Sequence, residues 1–171
     1  MYSKSSFLKN LRHEAKVLKH LAAQVPAGAW DYRPTPAQRS TLELLRYLSH
    51  SLTSATAFAT TGEWAVWEKL DAESKLMEAA GFAKAIDRQT KAVERLLAKE
   101  TDKSLQKKQV TTWSGQKCTL GEGLIEMVLK PLTAYRMQLF LYAKASGASH
   151  IGTSDCWRGK AAKPKKASAS G

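Results

Sequence analysis

Apolar residues recur along this chain at helical spacing, broken by clusters of proline and glycine. Phe7, Leu11, Ala15, Leu18, Ala22 and Val25 follow one another at steps of four or three residues, which makes one stripe of a helix from about Ser5 to Val25. Pro26, Gly28, Pro34 and Pro36 then forbid regular structure until Ser40. Ser40-Thr41-Leu42-Glu43 forms a capping box, in which the serine oxygen accepts from an early backbone N–H and Glu43 reaches back. The helix it opens is predicted to run to about Thr60, with Leu44, Leu45, Tyr47, Leu48, Leu52, Ala55 and Phe58 on a broad apolar face, and to end at Gly62.

Trp64 and Trp67 fall in the connecting segment that follows. A third helix is predicted over Ala72 to Lys99, with a break near Gly81; Phe82, Ile86, Val93 and Leu97 give its inward face. Val110-Thr111-Thr112-Trp113, a turn at Ser114-Gly115, and Gln116-Lys117-Cys118 read as an extended, hairpin-like link. Thr119-Leu120-Gly121-Glu122 is a second capping box and starts a fourth helix that stops at Gly147. Val128, Leu132, Tyr135, Leu139 and Tyr142 form its seam, and Pro131 is expected to kink it. Four amphipathic helices close most simply as an all-α four-helix bundle.

Composition fits one soluble domain. The chain has 171 residues, 43% of them hydrophobic and 25% charged, enough to bury a full core. No apolar run reaches the ~20 residues of a membrane span, so no membrane partner is expected. The N-terminus lacks an apolar signal core, and two cysteines cannot form a disulfide framework; the expected location is the cytoplasm. The net charge is +12, and Arg158, Lys160, Lys163, Lys165 and Lys166 supply five of these charges with no acid among them. The domain is therefore placed at residues 1–159, followed by a disordered, lysine-rich tail over 160–171 that makes weak contact with polyanions.

Candidate chemistry is sparse. On a helical wheel His50 falls almost opposite the arc centred on Leu45, Leu48, Leu52, Ala55 and Phe58, which predicts a solvent-facing or helix-packing side chain. His13 is likewise turned about half a circle from Leu11, and His20 and His150 have no second ligand at useful spacing. Cys118 sits beside Lys117 and before a helix cap, both of which lower a thiol pKa, but no histidine is close in sequence. The tail gives a weak, sequence-blind attraction to nucleic acid, without any helix-turn-helix or zinc-knuckle spacing.

Several segments in order resemble the DinB-like (DinB/YfiT) superfamily of four-helix proteins. They are Asp31-Tyr32-Arg33-Pro34, Ser40 through Leu48, Tyr135-Arg136-Met137-Gln138-Leu139 with Leu141-Tyr142 and Gly147, and the ending Asp155-Cys156-Trp157-Arg158-Gly159. The resemblance covers about residues 5–159. It implies a divalent metal held by three histidines, and maps those places onto Tyr47, Pro131 and Tyr135. Proline offers no ligand, and a neutral tyrosine with pKa near ~10 is a poor one, so no metal, no cofactor and no metal-dependent catalysis are expected.

In that mapping Tyr47, Pro131 and Tyr135 line a vestigial metal site that becomes a small-molecule pocket, flanked by Arg136, with Trp64, Trp67 and Trp113 as its rim. The plainer reading is that both tyrosine rings only fill the vacated volume. The function expected is that of a DinB family protein binding a small ligand or a protein partner through the bundle cavity, without catalytic residues. The alternative is a divergent metal-dependent hydrolase or thiol S-transferase of the same superfamily, with a relocated metal. The resemblance also implies a homodimer.

Overall fold

The structure is a computed structural model, and it describes residues 3–161. The lysine-rich tail expected from residue 160 lies, from residue 162 onward, outside the described residues. Helix α1 spans Lys4–Ala22, with Ser3 accepting from the Ser6 N–H as its cap. It is shorter than the stripe predicts, because Pro26 cannot continue a helix and the chain tightens first through Gln24 N–H to Leu21 and Val25 N–H to Ala22. Val25 stays buried all the same.

Helix α2 spans Thr41–Thr61, with the capping box of Ser40 and Glu43 formed in both directions. It ends on Gly62 at φ +79°, a left-handed position that glycine takes without a Cβ penalty. The single third helix expected next is two. Helix α3 spans Ala65–Ser74 and takes in Trp67, which therefore sits on a helix rather than in a connecting segment. The Ser74 hydroxyl donates to the Asp71 carbonyl, a local bond that competes with helical propagation and marks the stop. After a 3₁₀ turn over Ala79–Gly81, helix α4 spans Phe82–Leu96.

A short helix α5, Asp102–Lys107, occupies what the sequence presents as a polar link. The expected hairpin follows: β1, Gln109–Thr111, pairs antiparallel with β2, Lys117–Thr119, and Val110 lies opposite Cys118. The last long element begins at the second capping box as α6, Leu120–Leu124, passes through a π-helical turn at Ile125–Leu129, and continues as α7, Lys130–Ala145. The π turn replaces the kink expected at Pro131. The Lys130 N–H reaches the Ile125 carbonyl, five residues back, and the wider turn makes room for the pyrrolidine ring. Helix α8, Thr153–Arg158, closes the described chain.

Helices α1, α4, α2 and α7 pack in that order around a ring, each touching the next. Their shared core includes Phe7, Leu11, Leu18, Leu44, Leu48, Leu52, Phe82, Ile86, Val93, Leu132 and Leu139. Leucine-sized side chains contribute about 1.5–3 kcal/mol each when fully buried, so this core dominates stability. Gln89 adds a polar stitch. Its side-chain amide donates to the Leu48 carbonyl at 2.7 Å and accepts from the Leu52 N–H at 2.8 Å, fixing the rotation of α4 against α2. Helix α3 lies outside the ring against α2, and α8 lies against α1 and α7.

Candidate functional site

Tyr47 on α2 and Tyr135 on α7 meet where the helical seams face each other, with ring centroids 4.9 Å apart. Pro131, one turn before Tyr135, completes the group, and Trp67 from α3 and Trp113 from the hairpin turn close over it. The aromatic contacts continue outward: Tyr47 to Trp67 at 6.1 Å, Trp67 to Trp113 at 6.4 Å, Trp67 to Trp64 at 5.6 Å, and Trp64 to Phe58 at 4.4 Å. Tilted and edge-on geometries of this kind are the favoured ones for aromatic pairs. The space left between Tyr47, Pro131 and Tyr135 is about 10 Å³, room for about one water.

The electrostatics keep this centre neutral. Burial, and after it the Tyr135 hydroxyl, holds the Tyr47 phenol far above its ordinary pKa. The Arg39 guanidinium lies over the Tyr47 ring at 4.5 Å and pulls the other way without prevailing. The residues present do not fit the divalent ion that the resemblance implies. Proline has no donor, and a phenol whose pKa is driven up resists the deprotonation that metal binding needs. Among the described residues no three His, Cys, Asp or Glu side chains group closely enough to hold a metal ion.

Arg136 does not flank the tyrosines. A helix turns by about 100° per residue, and the side chain leaves α7 on the side facing α1. There its Nη1 donates to Glu14 Oε1 at 2.6 Å, with the Arg136 side chain 2% exposed and its guanidinium 4.3 Å from the centre of the Trp157 ring. Glu14 Oε2 and Arg136 Nε and Nη2 have no hydrogen-bond partner among the described residues, and the neighbouring Cys156 thiol is a weak acceptor. Burial raises the Glu14 pKa and outweighs the attraction of Arg136. The sequence holds one clue to this pair: Glu14 stands within the apolar stripe of α1, three residues after Leu11 and four before Leu18.

His50 is buried, at 3% exposure, so of the two expected placements it takes the helix-packing one. A helical wheel sees only the helix's own arc, whereas α3 packs on the far side of α2 and covers it. The ring stands edge-on to Trp67 at 5.6 Å and to Tyr47 at 5.7 Å. Its Nδ1 lies 3.1 Å from Ser54 Oγ, and its Nε2 lies 3.4 Å from Asp71 Oδ1, long for a hydrogen bond and poorly aligned. Burial lowers the His50 pKa, with Asp71 opposing, so the ring favours its neutral form.

The remaining candidates serve the architecture. His20 Nε2 meets Asp155 Oδ1 at 2.7 Å and His13 Nε2 meets the Trp157 carbonyl at 2.9 Å, tying α8 to α1. Burial and the carboxylates of Glu122 and Glu126 push the Cys118 thiol up, opposite to the activation its position before a cap implies. Cys156 is buried, and burial raises its pKa as well.

With this geometry in hand, solved structures give a neighbour. The chain superposes on the crystal structure of YjoA, a DinB-like protein of Bacillus subtilis, with a TM-score of 0.62 over 82% of this chain and 91% of that one, at 17% identity. That identity speaks for the fold alone, and the fold is DinB-like, as the sequence segments imply. No family model and no curated protein sequence matches the chain. No helix among the described residues is long and apolar enough to cross a membrane.

Proposed function

We propose that this DinB-like fold acts as a metal-free binding protein, and that its ligand is a flat, uncharged, largely apolar molecule. The supporting observation is the aromatic continuum that fills the centre. Tyr47 and Tyr135 pack into the space where histidines would hold an ion, leaving about 10 Å³, while Trp64 and Trp113 remain 44% and 41% exposed at the outer end of the same cluster. Exposed tryptophan is costly unless something covers it, and its face is a stacking platform. The ligand sits at the rim rather than in the closed centre. An open cleft of about 410 Å³ lies there, bounded by Phe58 and Trp64 on one side and by Lys108 and β1 on the other.

The neutral dye N-phenyl-1-naphthylamine tests this reading. Saturable binding is expected with the full chain, weakened at least tenfold by Trp64→Ala and largely retained by Trp64→Phe. Absence of saturable binding, or indifference to Trp64→Ala, overturns it. The relocated-metal hydrolase or transferase draws on the His50–Asp71 contact, which offers only two donors. Protein purified without chelator from medium holding nickel, zinc and manganese decides between them. A stoichiometric ion that is lost in His50→Ala replaces the metal-free reading.

A further inference from the structure

Helix α4 carries its charges in two groups that face different neighbours. Its two acids are engaged by α1: Asp87 Oδ1 lies 2.5 Å from Lys19 Nζ, and Glu94 Oε1 lies 2.7 Å from Arg12 Nη2. Three of its four cations, Arg88, Lys91 and Arg95, stand three and four residues apart, on one face, and line an open cleft of about 380 Å³ between α3 and α4, while the fourth, Lys84, does not line it. None of the three joins an ion pair among the described residues. One carboxylate, Glu73 of α3, lines the cleft opposite them and pairs with none of them. Three like charges held unpaired in a concave site focus a positive potential on it.

The floor is built to stay in place. Gln89, which lines the cleft, is bonded to the backbone of α2, so the cations beside it cannot rotate away together. Ser49 and Thr53 add hydroxyls from α2, and the buried ring of His50 closes the wall towards the aromatic centre. From Arg88 to Arg95 the helix rises about 10 Å, at ~1.5 Å per residue, so one anionic group cannot engage both ends. Arginine forks match phosphate oxygens two at a time, and a cavity of this size suits a small molecule, since pockets run from about 300 to 1,000 Å³.

We propose that this cleft binds a small molecule bearing two or more phosphate groups. The site is distinct from the aromatic rim and from the lysine-rich tail, and it stands whether or not the rim takes a ligand.

Tripolyphosphate is the probe, titrated calorimetrically into the full chain at 50 mM KCl, with imidazole resonances of His50 followed by NMR. Wild type binds and the His50 signals shift. The triple variant Arg88→Ala, Lys91→Ala, Arg95→Ala binds at least tenfold more weakly. The matched variant Lys163→Ala, Lys165→Ala, Lys166→Ala loses the same number of charges from the tail and binds within twofold of wild type. Equal loss in both variants means attraction to net charge only and overturns the proposal, as does no binding by wild type or unmoved His50 signals. Citrate binding as tightly as tripolyphosphate overturns the phosphate assignment.

Discussion

Tyr135 and Arg136 are neighbours on α7, yet they sit in opposite kinds of interior. Tyr135 meets Tyr47 in a neutral, aromatic setting, where polar atoms are few and burial raises a phenol pKa. Arg136 meets Glu14 in a charged setting, with three polar atoms that have no hydrogen-bond partner among the described residues. The first interior tolerates small change, because its energy is spread over many weak ring contacts. The second concentrates its energy in one contact and exposes the fold to large penalties when that contact is cut.

Four experiments test that contrast. Arg136→Ala leaves the Glu14 carboxylate buried without its cation and is expected to cost about 3–5 kcal/mol in urea unfolding. The double change Glu14→Leu, Arg136→Met should recover most of this loss, since apolar groups of similar volume need no partner. A loss below ~1 kcal/mol for the single change would put the two interiors on equal footing. Gly159→Ala comes next. Gly159 holds φ +59°, and a Cβ there would lie 3.0 Å from Val17 Cα on α1, so at least about 1 kcal/mol should be lost as α8 lifts.

The third experiment uses pH. Burial alone would raise the Asp155 pKa, but the Gly152 N–H and His20 outweigh it and hold the carboxyl below its ordinary value. A depressed folded pKa stabilises the fold above the unfolded value of about 3.9, and that support fades as pH falls through the lower folded value. Urea midpoints measured from pH 7 down to pH 3 should drop more steeply for wild type than for Asp155→Asn. Parallel curves would remove Asp155 from the anchoring of α8. The smallest effect belongs to the aromatic side: Tyr47→Phe deletes one hydroxyl and should change stability by about 1 kcal/mol or less.

The same contrast explains what the sequence disclosed. The α1 stripe, both capping boxes and the hairpin were legible, because each rests on spacing within one segment, whereas the grouping of Tyr47, Pro131 and Tyr135 followed from the family resemblance and not from spacing. The DinB-like fold was legible from the order of short segments. Arg136 was misplaced because its partner lies 122 residues away, and no periodicity links the two. Of the two placements left open for His50, solvent-facing or helix-packing, the structure has the second; the sequence could not choose because α3, read as part of a longer helix starting at Ala72, begins at Ala65 and covers the ring. The π turn escaped notice for a related reason: a proline announces disruption of a helix, but not which of kink or widening absorbs it.

The Gln89 amide takes the Leu48 carbonyl and the Leu52 N–H, which are the two ends of one rung in the ladder of α2. The deuterium-exchange lifetime of the Leu52 amide is therefore set by separation of α4 from α2, not by fraying along α2. A slow Leu52 proton that quickens in Gln89→Ala, while amides one turn to either side keep their rates, would make that single position a clock for the opening of the whole helix pair.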